Sequence, residues 1–202
     1  MEKNNAVHPA VAAFIKTAPE GSVVNWQLKF RDPHEQWTSP GGRVVQLGDA
    51  AHAFLPTSGN GATQAIEDGV TLAACLQLAG KAQAANATRV YNKLRFQRVS
   101  CGQKMGFVNQ QLKQNTDWDA IAKNPALIRS RYPKWVWSHD PEAYVYEKFC
   151  EALNHVISNG EIPLHNTNFP KGHKYRHWTM KEVLEQIKAG QQLEDLQDGD
   201  WA

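Results

Sequence analysis

Cysteine is scarce. Cys75, Cys101 and Cys150 are the only three in 202 residues, an odd number with neither metal-site nor redox-motif spacing. They read as reduced, mostly buried thiols, which excludes a disulfide-stapled secreted scaffold and suits the cytoplasm. No apolar run approaches membrane-spanning length, and no apolar signal core stands near the start, so no membrane span is expected. A charge excess is also missing: 22 Lys and Arg against 20 Asp and Glu leave a net +2, which argues against a nucleic-acid or polyanion-binding surface. Glycine is not arranged to cradle a diphosphate. Gly41-Gly42 precedes an apolar run instead of following one, and Gly59-Asn60-Gly61 has no third glycine at the needed offset, so a G-x-G-x-x-G turn is lacking. Hydrophobic residues make up 42% of the chain, enough for a core in one domain or a domain and a half.

What is present centres on residues 41–79. Val44, Val45, Gln46 and Leu47 are a short, β-branched run bounded by glycines, which predicts a buried strand. Gly48 and Asp49 close it, and a loop punctuated by Pro56, Gly59 and Gly61 follows. From Ala62 the spacing is helical, with Ala65, Ile66, Gly69, Leu72, Ala73 and Leu76 predicted to form one packed face. A strand, a carboxylate, a glycine loop and a helix start suit a flat, electron-rich ligand with a polyol attached. The first helical N–H groups lack intrahelical partners, the dipole is positive there, and glycine permits close approach. Asp49 can accept hydrogen bonds from a polyol hydroxyl.

The stretch GDAAHAFLPTSGNGATQAIEDGVTLA resembles the second FAD-binding motif of the group A FAD-dependent aromatic hydroxylases, the salicylate hydroxylase-like flavoprotein monooxygenases, in their fungal secondary-metabolism form. Gly48, Asp49, Ala50, Ala51, His52, Pro56, Gly59, Gly61, Glu67, Asp68, Leu72 and Ala73 carry the match. The resemblance implies that Asp49 contacts the FAD ribityl chain, and that the Pro56–Ala62 backbone lies against the pyrimidine end of the isoalloxazine. The cofactor-binding residues it implies are Gly48, Asp49, Pro56, Gly59, Gly61 and Ala62. It further implies NAD(P)H as reductant and an aromatic or polyketide-like small molecule as substrate. Family members are longer and begin with the dinucleotide-binding unit not found here, so the chain looks like their C-terminal half. The expected fold is α/β: a truncated FAD-binding fold, mostly helical with a few strands, lacking that unit. Residues 1–115 are expected to be the C-terminal part of the FAD-binding domain, and 116–202 a helical extension with an extended arm.

Elsewhere, residues 8–18 predict a short helix, and 23–30 a strand with Val24, Trp26, Leu28 and Phe30 on one face. Trp26 and Trp37 are expected to pack over the second-motif strand as core aromatics. Residues 86–114 predict a long helix, capped by Asn86 or Thr88, with a stripe through Val90, Leu94, Cys101, Met105, Val108 and Leu112 that breaks near Gly102 and Gly106. Arg95 and Arg98 can reach a ligand phosphate or pair with Glu67 and Asp68, and the ion pairs are favoured. Residues 115–140 read as irregular. Asp140-Pro141 starts a helix to about Ile157. Residues 158–178 read as an arm wrapping a surface, Thr179-x-x-Glu182 as a capping box for a last helix, and the acidic tail from Leu193 as frayed.

His52, beside the expected flavin, is a weak catalytic candidate, with a structural place at the turn favoured. His155, His165, His173 and His177 lack metal-ligand spacing, so no metal is expected. The leading expectation is an FAD-dependent monooxygenase hydroxylating its substrate as a partial or shortened enzyme. One alternative is a cofactor-free descendant catalysing isomerisation or cyclisation, with His52, Asp49 and His139 as acids or bases. Another is a non-catalytic partner subunit. A partner chain or homodimer would supply what the half site lacks.

Overall fold

A computed structural model describes residues 8–114, 118–125, 132–191, 196 and 199–201. These residues contain seven α-helices and three short 3₁₀ turns. The α-helices are α1 (Pro9–Lys16), α2 (Gly61–Ala79), α3 (Ala84–Gln114), α4 (Trp118–Lys123), α5 (Lys134–Trp137), α6 (Pro141–Ile157) and α7 (Met180–Lys188). The 3₁₀ turns lie at Gly48–Ala50, Pro56–Ser58 and Lys81–Gln83. The expected mostly helical fold is therefore found. The strands are reduced, among the described residues, to two isolated antiparallel bridges, Thr38 with Val45 and Lys171 with Asp200.

The expected buried strand at 44–47 instead lies near the surface. Val44 is 66% and Leu47 38% exposed, and among the described residues only the 37–39 segment pairs with this run, through Ser39 N to Val44 O and Gln46 N to Trp37 O. One paired edge without a neighbour on the other cannot bury a strand. The 23–30 segment forms no strand or bridge among the described residues, and Val24, Trp26 and Leu28 are 73%, 80% and 61% exposed. Trp26 therefore does not pack as a core aromatic. Trp37 does: it is buried among the rings of His52, Tyr91 and Phe96.

The core is built on α2, α3 and α6, which pack on one another. Helix α3 runs through the middle. Val90, Leu94, Cys101, Met105 and Val108 are all buried, as their spacing predicts, and so are Arg95, Arg98 and Gln103 between them. Its start is two residues earlier than expected, at Ala84 after the 81–83 turn, so Asn86 and Thr88 lie inside the helix and do not cap it. The Leu112 side chain lies outside the described residues. Gly102 and Gly106, the break in the stripe, are where the loop before α2 settles: Phe54 lies over Gly102, and a Cβ on Gly106 would stand 2.5 Å from Ser58 Cβ.

Helix α2 is turned relative to the expectation. Its buried face is Gln64, Glu67, Asp68, Thr71, Ala74 and Cys75, while Ile66 is 70% and Leu76 39% exposed. The reason is electrostatic: Glu67 and Asp68 face the buried guanidinium groups of Arg95 and Arg98 on α3. Once those arginines sit in the core, the acidic face of α2 must cover them, because a buried charge without a partner is far more costly than an exposed isoleucine.

The later elements follow their local signals. Asp140 caps α6 by accepting from Ala143 N, with Pro141 at the first position. Thr179 and Glu182 form the capping box of α7. The 115–140 region, expected to be irregular, holds the short helices α4 and α5. The arm at 158–178 does cross the α3 surface. The Asn168 amide donates to Leu94 O at 2.9 Å, and the Trp178 indole to Ser100 Oγ at 3.0 Å. Trp178 joins a second core with Phe107, Val108, Val183 and Leu196. Leu196 is buried and Asp200 N bonds Lys171 O at 2.9 Å, so the described part of the tail is docked, not frayed.

Candidate functional site

The loop and helix start between Gly48 and Ala65 surround an open depression of about 660 Å³, lined by Asp49, Phe54, Leu55, Pro56, Ser58, Gly59, Asn60, Gly61, Ala62 and Ala65. A second one of about 470 Å³ adjoins it, lined by residues 25–29 with Asp49, Ala53, Phe54 and Pro56. Asp49, Phe54 and Pro56 line both, so the two form a continuous groove with Asp49 at the junction.

Five of the six residues expected to touch a cofactor line the first depression: Asp49, Pro56, Gly59, Gly61 and Ala62. Gly48 lies behind it, buried, where its N–H donates to Asp68 Oδ2 at 3.0 Å. Asp49 is exposed in the groove, and its carboxylate has no hydrogen-bond partner among the described residues. Pro56 opens the 3₁₀ turn that ends at Gly59, whose φ of 62° belongs to the left-handed region where glycine is at ease. Helix α2 then begins with no side-chain cap from Asn60 and no acidic residue in its first turn. Its opening N–H groups and positive dipole end are left facing this edge of the depression.

Behind the groove lies a buried ion network. Asp68 accepts from His52 Nε2 at 2.6 Å, from Arg95 Nε at 2.8 Å and from Gly48 N. Glu67 accepts from Arg95 Nη1, and from Arg98 Nε and Nη2 at 2.8 Å each. Arg98 also donates to three backbone carbonyls, those of Trp135, Val136 and Asn168, at 2.8 to 3.0 Å. Burial alone would raise the Asp68 carboxyl, but the His52 hydrogen bond and the Arg95 charge outweigh it and hold the group below the usual carboxylate range. Burial opposes ionisation of Glu67 in the same way, and the Arg98 and Arg95 contacts again win. Arg95 and Arg98 are thus ion-paired, as favoured from the sequence.

His52 is 2% exposed, sits between the rings of Trp37 and Phe54, and lines neither part of the groove. Its contact with Asp68 orients the turn that carries Asp49. His139 also lies away from the groove, half-buried against the Tyr144 ring, where burial and the nearby Arg98 lower its pKa to about 4. The trio considered for cofactor-free chemistry therefore does not converge on one cavity. Among the described residues no group of three or more His, Cys, Asp or Glu stands close enough to hold a metal. No described helix is long and apolar enough to cross a membrane.

Two residues at the site, Phe54 and Tyr132, were given no site role from the sequence, and Trp26 was read as a core aromatic. Phe54 joins the two depressions and packs on Gly61. Trp26 lines the second one. Tyr132, from beyond α4, donates its hydroxyl to Ser58 O at 2.5 Å. No spacing rule links Tyr132 to a loop 74 residues earlier; only the fold brings them together.

Residues 24–99 match the family model described as FAD binding domain. The whole chain is 90% identical to the FAD-dependent monooxygenase fsr3 of Gibberella fujikuroi, covering 39% of that protein. It is 59% identical over 195 residues to the FAD-dependent monooxygenase mdpD of Emericella nidulans, a match covering 96% of this chain and 37% of that one. Among solved structures, native FqzB superposes with a TM-score of 0.62 at 38% identity, over 71% of this chain and 32% of that one. CtdE in complex with FAD and substrate 4 superposes with a TM-score of 0.54 at 45% identity, over 60% and 29%. The chain spans less than two-fifths of the length of these curated relatives.

Proposed function

On the premise that this chain corresponds in sequence to a segment of the FAD-dependent monooxygenases, we propose that the groove at Asp49 holds the isoalloxazine and ribityl parts of FAD. The enzyme of which this site is part would hydroxylate an aromatic or polyketide-type small molecule, with NAD(P)H as reductant. The observation that carries the reading is the convergence of three features on one depression. They are an unpartnered Asp49 carboxylate, a glycine turn that lets a flat ring approach, and an uncapped helix start. When bound, FAD supplies the redox chemistry that activates oxygen; the protein binds, orients and shields it.

In this proposal Gly48, Asp49, Pro56, Gly59, Gly61 and Ala62 are the cofactor-binding residues. Asp49 accepts from ribityl hydroxyls. The first N–H groups of α2 face the pyrimidine end, and the helix dipole favours negative charge there. Phe54, Leu55 and Pro56 give the ring an apolar wall that excludes water. His52 acts through Asp68 on the turn and moves no proton. Residues 1–115 form the cofactor segment and 116–202 the extension that braces it. A reducing, cytoplasmic location fits the free thiols Cys75, Cys101 and Cys150. Val23, Val24, Trp26 and Leu28 point away from this core, and we infer that further polypeptide, in the same or a partner chain, covers them and completes the site at the ADP end.

The test is a visible and fluorescence titration of the purified chain with FAD. Quenched flavin emission, weakened at least tenfold in affinity by Asp49→Ala, is expected. Equal affinity of Asp49→Ala and the unsubstituted chain would remove Asp49 from the site.

A further inference from the structure

The loop that shapes the groove is held from a part of the chain remote in sequence. Within the loop, Ser58 N bonds Leu55 O at 2.8 Å, Gly59 N bonds Pro56 O at 3.0 Å, and Asn60 N reaches Ser58 Oγ at 3.3 Å. These bonds set the turn but do not fix where it sits. Two of the contacts that position it come from α3 and from the segment before α5. One is Gly106 of α3, where the absence of a side chain admits Ser58. The other is the Tyr132 hydroxyl, which donates to Ser58 O and lies so close to Gly59 that a Cβ there would stand 2.6 Å from it.

Tyr132 is itself anchored. Three and four residues on, Trp135 O and Val136 O accept from the buried Arg98 guanidinium, which is paired with Glu67 of α2. The Arg98 carbon also lies 5.4 Å from the centre of the Trp135 ring. The buried network thus grips the groove at both ends. Asp68 holds the Gly48–Asp49 turn directly, and Arg98 holds the short segment from which Tyr132 reaches the Pro56–Gly59 turn.

We propose that Tyr132 is a positioning residue for the cofactor: its hydroxyl, anchored through Arg98, keeps the Pro56–Gly59 turn in the shape that receives the flavin ring. This rests on the assignment of the groove to FAD. A phenol donating to a buried-side carbonyl is a small, directional restraint, and its loss frees a turn without emptying a core. Tyr132 is 37% exposed, so little packing depends on its hydroxyl.

The substitution Tyr132→Phe, in the full chain, removes one oxygen and keeps the ring. Two readouts separate the possibilities: amide hydrogen exchange over residues 56–62 without flavin, and FAD affinity by fluorescence quenching. Faster exchange confined to that loop, an unchanged Tm, and a several-fold loss of FAD affinity are the expected results. Unchanged exchange in the loop would overturn the proposal. So would faster exchange with unchanged FAD affinity, since the restraint would then have no bearing on the cofactor. If the unsubstituted chain binds no FAD, either alone or within the longer polypeptide or complex that completes the ADP end, the assignment of the groove fails and the positioning role falls with it. If that chain binds FAD and Tyr132→Phe binds it equally well, the positioning role alone fails.

Discussion

Arg98 satisfies one carboxylate and three carbonyls from inside the core, at 1% exposure. Replacing it by Leu fills the space but leaves Glu67 with fewer counter-charges and three carbonyls without a donor. Breaking one side of such a buried pair costs about 3–5 kcal/mol, so Arg98→Leu is expected to lower stability by that order in urea denaturation. Two tryptophans provide a second contrast. Trp37→Ala empties a packed ring site and is expected to cost about 3–5 kcal/mol. Trp26→Ala, at 80% exposure, should stay within about 0.5 kcal/mol of the unsubstituted chain. Equal losses from the two, measured by the same denaturation, would contradict the orientation of residues 23–30. Along the sequence Trp26 stands in an alternating apolar and polar run and Trp37 among polar residues, the reverse of their burial. What separates them is the long-range bond from Trp37 N to Asn92 Oδ1 at 2.9 Å, which no local pattern reports.

Helix α3 shows how an element can be read correctly in outline and still conceal its purpose. The glycines at 102 and 106 read only as a break in a hydrophobic stripe. In the structure they are a seat for the loop before α2, with Ser58 against Gly106. Gly106→Ala should gain about 1 kcal/mol in helix propensity. The contact at 2.5 Å with Ser58 Cβ and 3.3 Å with its Cα works against this, because neither atom can swing away as a long side chain would. Overpacking of that kind costs about 1–3 kcal/mol, so the net change is expected to be destabilising, and the loop is pushed toward the groove. A lower Tm with weaker FAD quenching checks this; a raised Tm would mean the loop shifts freely. Helix α6 was fully legible, because Asp140 and Pro141 are local signals. Asp140→Ala should cost about 1 kcal/mol by thermal melting, from loss of the bond to Ala143 N.

At the scale of the molecule, the buried carboxylates set the acid stability. Glu67 and Asp68 titrate below their ordinary values in the folded chain, so the folded state binds fewer protons than the unfolded one as the pH falls. Their contribution is fully present above the ordinary carboxylate range near pH 4 and is lost as the pH drops through the lower folded values. Urea denaturation from pH 7 downward should show stability falling below about pH 4. In Glu67→Gln that fall should be shallower, from a lower plateau. What the sequence determined by itself was whatever depends on neighbours along the chain. That includes the G-D turn, the glycine loop and helix start, the caps at Asp140 and Thr179, and the periodic stripe of α3, because turn, cap and helix preferences act over a few residues. The pairing of Arg95 and Arg98 with Glu67 and Asp68 was also legible, since buried charges of opposite sign on neighbouring helices have little alternative. Only the tertiary structure decided which face of α2 turns inward, because that depends on the free energy of burying two guanidinium groups outweighing the burial of Ile66. It also decided that residues 23–30 and 44–47 join no sheet among the described residues, since strands need partners that no local signal supplies. The reach of Tyr132 to Ser58 is of the same kind: two residues 74 apart meet because a buried arginine holds the Trp135 and Val136 carbonyls just beyond Tyr132.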